Sequence, residues 1–258
     1  MELDQYIVNA FAGRAFEGNP AAVVPLQKWL ADDLMQAIAE QNNLAETAFY
    51  VLEDDGQDRI RWFTPTVEVD LCGHATLASA FIVNALEGRE AIEFESRSGP
   101  LSAELQGNWW ILDFPSEVAE SVSAPPELLK ALNLAQAECY FNQDYLVVIE
   151  DAQALANLDV DFDKLLSLQG RGVIVTAASD QYDFVHRFFA PKVGVKEDPV
   201  TGSALTKLIP YWADRLVKNE LHAKQVSPRG GEIKCQYNQQ RVAIGGQVKL
   251  FSKGKIYV

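Results

Sequence analysis

Apolar positions along this chain change period several times. Short alternating or continuous apolar runs, bounded by Gly, Pro, Asn or Asp, predict strands over residues 6–9, 21–24, 47–52, 59–63 and 91–94. A hairpin is predicted from 101–105 to 109–114 around Gly107-Asn108. Helical spacing predicts helices over 32–41 and 74–86. The second of these, ATLASAFIVNAL, is apolar on nearly every face, so it must be wrapped on all sides rather than lie on a surface. Further on, strands are predicted over 145–149, 172–176, 183–189, 232–235, 241–244, 248–251 and 255–258, with a helix over 201–216 that Pro210 is expected to kink. A buried helix among strands suggests a sheet rolled around it.

One pattern occurs twice. Phe63-x-Pro65-x-Val67-x-Val69 returns as Phe189-x-Pro191-x-Val193-x-Val195, an offset of 189 − 63 = 126 in a chain of 258. Both copies lead through polar residues and a small-residue turn into a helical segment, which predicts a duplication with each half one structural unit. The segment SEVAESVSAPPELL (116–129) reads as the linker, giving an N-terminal half over 1–115 and a C-terminal half over 116–258, with terminal strands free to cross between them. The expected fold is therefore α+β: two pseudo-symmetric halves, each a β-rich roll around a central helix, with a cleft between.

Composition narrows the partners. A net charge of −14 repels phosphate backbones and anionic membranes, so neither nucleic acid nor a membrane is expected as a partner. The longest nearly uncharged apolar run, residues 75–86, is too short to span a bilayer. Three cysteines without C-x-x-C spacing suggest neither a disulfide framework nor a zinc site, and with no signal-like N-terminus they point to reduced thiols in the cytoplasm. No metal or organic cofactor is expected.

The candidate chemistry sits at the start of one strand and at the two turns. Glu46, at the head of an apolar strand, is either on the wet face of the pleat or buried, where desolvation would suit a general acid/base near neutral pH. Gly73 and His74, like Gly202 and Ser203, precede helices, whose unpaired N–H groups and dipole bind carboxylates or phosphates; alternatively Gly only permits the turn and Ser203 or Thr201 caps the helix. His74 can donate a proton, orient a substrate or simply hydrogen-bond within the structure. Asp198, before Pro199, can shape the turn or accept from a substrate ammonium group. Cys72, at a helix start, is either a thiolate or a small buried hydrophobe.

Four motifs in order, AFAGRAFEGNPAAVV (10–24), NLAETAFYV (43–51), FTPTVEVDLCGHATLASA (63–80) and KEDPVTGSAL (196–205), resemble the phenazine-biosynthesis PhzF-like isomerases, which share their fold with diaminopimelate epimerase. The resemblance implies Glu46 as the general acid/base, His74 and Asp198 as its catalytic companions, and Gly73, Gly202 and Ser203 as substrate-binding turns. It also implies a small carboxylate-bearing, amino-acid-like substrate and a homodimer. Two departures stand out. Ala45 replaces the serine before the family's glutamate, and Pro199 stands where amino-acid epimerases of this fold carry their second cysteine, which rules out a two-thiol racemase. The competing expectation is a small-carboxylate-binding or regulatory protein on an isomerase scaffold.

Overall fold

The structure, a computed structural model, describes residues 1–53 and 56–258, and the chain divides into two compact units. The first comprises Met1–Phe114 with Ile244–Val258, and the second Pro115–Ala243. The change of unit falls between residues 114 and 115, and residues 244–258 return to the first unit.

In the first unit the strands are β1 (Glu2–Ala10), β2 (Asn19–Leu26), β3 (Glu46–Val51), β4 (Arg59–Phe63), β5 (Glu68–Val69), β6 (Ala91–Ser96), β7 (Gly99–Gln106) and β8 (Trp109–Pro115), joined later by β17 (Val248–Tyr257). β1 pairs antiparallel with both β2 and β17, β2 runs parallel to β3, β3 antiparallel to β4, and β4 parallel to β6. The predicted hairpin is present, with Gln106 opposite Trp109 and Gly107 at φ 65°, the left-handed conformation such a turn requires. Helix α1 (Asp32–Asn42) makes the crossover between parallel β2 and β3. Helix α2 (Gly73–Glu87) buries nine residues from His74 to Val83 and packs against β1, β2, β3, β7 and β17, as its all-round apolar surface demands.

The second unit contains β9 (Glu120–Ser121), β10 (Glu138–Phe141), β11 (Tyr145–Val148), β12 (Val173–Ala178), β13 (Phe184–Phe189), β14 (Glu220–Gln225) and β15 (Gly231–Asn238), while β16 (Arg241–Gly246) carries the chain out of it. Three short helices, α3 (Pro126–Ala131), α4 (Ala152–Ala156) and α5 (Phe162–Leu165), precede the long α6 (Gly202–Leu216). The pairing repeats that of the first unit: β10 antiparallel to β11, β11 parallel to β12, β12 antiparallel to β13, β13 parallel to β14, β14 antiparallel to β15. Phe63 pairs with Thr47 and Phe189 with Val173, so the repeated motif ends equivalent strands.

One expectation is modified. The stretch read as a linker is tied down, with Glu117 N–H donating to Thr206 C=O at 3.0 Å. That same bond explains how α6 continues through Pro210. Proline cannot donate to the carbonyl four residues back, and Glu117 supplies the missing N–H.

Candidate active site

Glu46 begins β3, and its side chain is 19% exposed, neither on a wet face nor sealed. His74 lies in the first turn of α2, 8% exposed, with Nε2 3.2 Å from Glu46 Oε2. Burial drives the His74 pKa from its ordinary 6.5 down to about 4, because an imidazolium there would lose its hydration. At neutral pH the ring is therefore uncharged and faces Glu46 as a neutral polar group rather than a cation.

Cys72 is the N-cap of α2, with φ −146° and ψ 108°, and its side chain does not cap the helix. Its Sγ instead lies 3.5 Å from His74 Nδ1, so the residue is buried but not merely a hydrophobe. Asn19, wholly buried at the start of β2, brings Nδ2 to 3.4 Å from the same nitrogen. The preceding Gly18, at φ 75°, passes so close to Ala10 that a Cβ there would meet the Ala10 carbonyl oxygen at 2.1 Å. Glycine is thus what lets β2 start where Asn19 faces His74. Glu46, Cys72 and His74 each bring a donor atom within 4.8 Å of the others, a spacing seen among metal ligands. Glu46 and Cys72 approach opposite ring nitrogens, however, so an ion bound at one nitrogen would have to draw the other group across the ring.

In the second unit, Asp198, Gly202 and Ser203 belong to a turn held by side chains that sequence reasoning did not single out. Gln225, fully buried in β14, accepts from Thr201 N–H at 2.8 Å and donates to Asp198 C=O at 2.6 Å. Thr201 is the N-cap of α6, yet its hydroxyl donates to Asp198 Oδ2 at 2.5 Å instead of capping the helix. Ser203 Oγ accepts from Arg171 Nη2 at 2.9 Å. Arg171 forms a two-pronged pair with buried Asp144, at 3.0 and 2.7 Å, and Lys207, itself buried, lies 3.6 Å from Asp144 and 2.5 Å from Glu117. The capping role left open for Thr201 is thus not what its side chain does.

Of the missed residues, Asn19 lay inside the Gly-Asn-Pro of the first motif, where its polar side chain at a strand start was a usable signal. Gln225, Arg171 and Asp144 had none, since only the tertiary fold brings them to the turn.

These features define an α+β chain of the epimerase-like class, with a carboxylate and a neutral histidine in contact at a helix start. A hydroxyproline epimerase from Agrobacterium vitis has the same fold (TM-score 0.60, 8% identity, covering 99% of this chain and 92% of that one). The family model for the phenazine biosynthesis-like proteins, PhzC-PhzF, matches residues 8–254, and the chain belongs to that family. It is 50% identical to an uncharacterized isomerase of Pseudomonas aeruginosa, with both chains covered completely. A PhzF-family crystal structure from Enterococcus faecalis matches with a TM-score of 0.97 at 48% identity over the whole of both chains. The relatives' names give the family an isomerase-type function. Among the described residues, no helix is long and apolar enough to cross a membrane.

Proposed function

We propose that this chain is an isomerase that moves a proton on a small carboxylate-bearing, amino-acid-like substrate, using side chains alone, with Glu46 as the general acid/base. The observation that carries this reading is the 3.2 Å contact between Glu46 and an uncharged, buried His74. A carboxylate partly shielded from water beside a neutral imidazole can accept a proton from carbon and return it at a neighbouring carbon. His74, neutral and 3.2 Å away, gives Glu46 a polar but uncharged neighbour through the transfer. The first-turn N–H groups of α2, left without a side-chain cap, suit a substrate carboxylate and the enolate-like charge that grows as the proton leaves. The roles the resemblance implies in the second unit, Asp198 as a catalytic companion and Gly202 and Ser203 in substrate binding, remain part of the proposal; that turn is hydrogen-bonded by Gln225 and Arg171.

The test is proton exchange. In deuterium oxide the protein should label a carbon of its substrate within a panel of small unsaturated and α-amino carboxylates, read by proton NMR. Glu46→Gln should abolish that labelling while the fold, read by circular dichroism, stays intact. Labelling retained in the variant would place the base elsewhere.

A further inference from the structure

The three polar neighbours of His74 divide between its two ring nitrogens. Asn19 Nδ2 and Cys72 Sγ lie 3.4 and 3.5 Å from Nδ1, and Glu46 Oε2 lies 3.2 Å from Nε2. A neutral imidazole carries one proton, and its partners decide which nitrogen holds it. The carboxamide nitrogen only donates, a thiol can donate, and a carboxylate only accepts. One assignment suits the Asn19 and Cys72 contacts and the nearby negative charge together: Nδ1 receives, and the proton sits on Nε2, the nitrogen 3.2 Å from the Glu46 carboxylate.

We propose that Asn19 and Cys72 are positioning residues that fix His74 as its Nε2–H tautomer. The opposite tautomer would leave two acceptors, Nε2 and a carboxylate oxygen, 3.2 Å apart in a largely buried corner. It would also point an N–H at the Asn19 amide donors. Asn19 is well placed for the task because it cannot drift: it is wholly buried, paired opposite Ala10 in the β1–β2 ladder, and preceded by the tightly packed Gly18. Fixed in this way, His74 never competes with Glu46 for the substrate proton, since its one basic nitrogen faces away from Glu46. That consequence rests on the reading of Glu46 as the base, but the tautomer itself does not.

The experiment is two-bond proton–nitrogen correlation NMR on the full-length protein with labelled histidine. The chain has three histidines, so single variants of His186 and His222 assign the His74 signals. The wild type should show the Nε2–H pattern for His74 and remain neutral as the pH falls from 8 through 6. Cys72→Ala and Asn19→Ala should each move the pattern toward a mixture of tautomers. Asn19→Asp places an acceptor at Nδ1, so its His74 should become an imidazolium with a titration midpoint above the ordinary value. An Nδ1–H pattern in the wild type would overturn the proposal, as would an unchanged pattern in the alanine variants. If the Asn19 variants do not fold, the wild-type spectrum and Cys72→Ala decide the matter. A reversed tautomer with Glu46-dependent exchange would sink the clamp alone, and the expected tautomer without exchange on any carboxylate would sink the proton-transfer reading alone.

Discussion

Cys72-Gly73-His74 and Thr201-Gly202-Ser203 enter helices of the same length, 15 residues, from N-caps of similar extended conformation, but their side chains meet different partners. The matching registers of β3 with β4 and of β12 with β13 put Glu46 at the position of Gly172, and Ala45 at that of Arg171. Where the first unit has its carboxylate, the second has no side chain and no room for one: a Cβ on Gly172 would meet the Phe188 ring at 2.6 Å and the Phe189 carbonyl oxygen at 2.8 Å. Cys72 leans on a titratable ring, whereas Thr201 is bonded to Asp198 and Gln225. On the proposed reading, one duplicated frame carries the general base in one copy and a turn tied by side-chain hydrogen bonds and ion pairs in the other. Function and stability should separate accordingly under mutation.

The largest effect expected is at Glu46 in the first unit. Glu46→Gln should lower substrate proton exchange by about 10²- to 10⁴-fold, the usual contribution of a general acid/base, with little change in the unfolding midpoint. The second unit should show the reverse. Asp144→Ala takes from Arg171 its two-pronged carboxylate and from the buried Lys207 one of its two acidic neighbours, and should cost roughly 3–5 kcal/mol in urea unfolding.

A pH dependence follows from the two buried histidines. His74 is held at about 4 and His186 at about 3, both by desolvation as the largest cause, against 6.5 for an exposed ring. Between 6.5 and those values the unfolded chain binds protons that the folded chain does not, so stability falls as the pH drops through this window. A tenfold difference in proton affinity between the folded and unfolded chain is worth about 1.4 kcal/mol. His186→Phe should flatten the stability profile between pH 6.5 and 4; an unchanged slope would show that His186 is protonated or hydrated in the fold. Smaller still, Gln225→Leu leaves the Thr201 N–H and the Asp198 carbonyl without their partner, and should cost roughly 1–3 kcal/mol.

Much of this frame was legible from pattern alone. The all-apolar run after His74 marked α2 as a wrapped helix, and the Phe-x-Pro-x-Val-x-Val repeat marked the duplication, because both depend on local periodicity. The C-terminal stretches read as two strands, 248–251 and 255–258, form the single strand β17, since pairing with β1 carries the ladder through Lys253 and Gly254. Helices α3, α4 and α5 went unread: at four to six residues they are shorter than any periodicity can report. At the site, Glu46 and His74 were visible as chemistry-bearing types beside turns, but their contact was not, because 28 positions of chain separate residues 46 and 74. The Asp144–Arg171–Ser203 chain was hidden for the same reason, as each link joins residues far apart in sequence.

The central claim is that Glu46, at the start of β3 beside His74, is the general base. Its most direct test is deuterium incorporation at the substrate carbon, measured side by side for wild type, Glu46→Gln and Thr201→Val. Wild type and Thr201→Val should both label the substrate, and Glu46→Gln should not. Labelling by Glu46→Gln at the wild-type rate would contradict the claim.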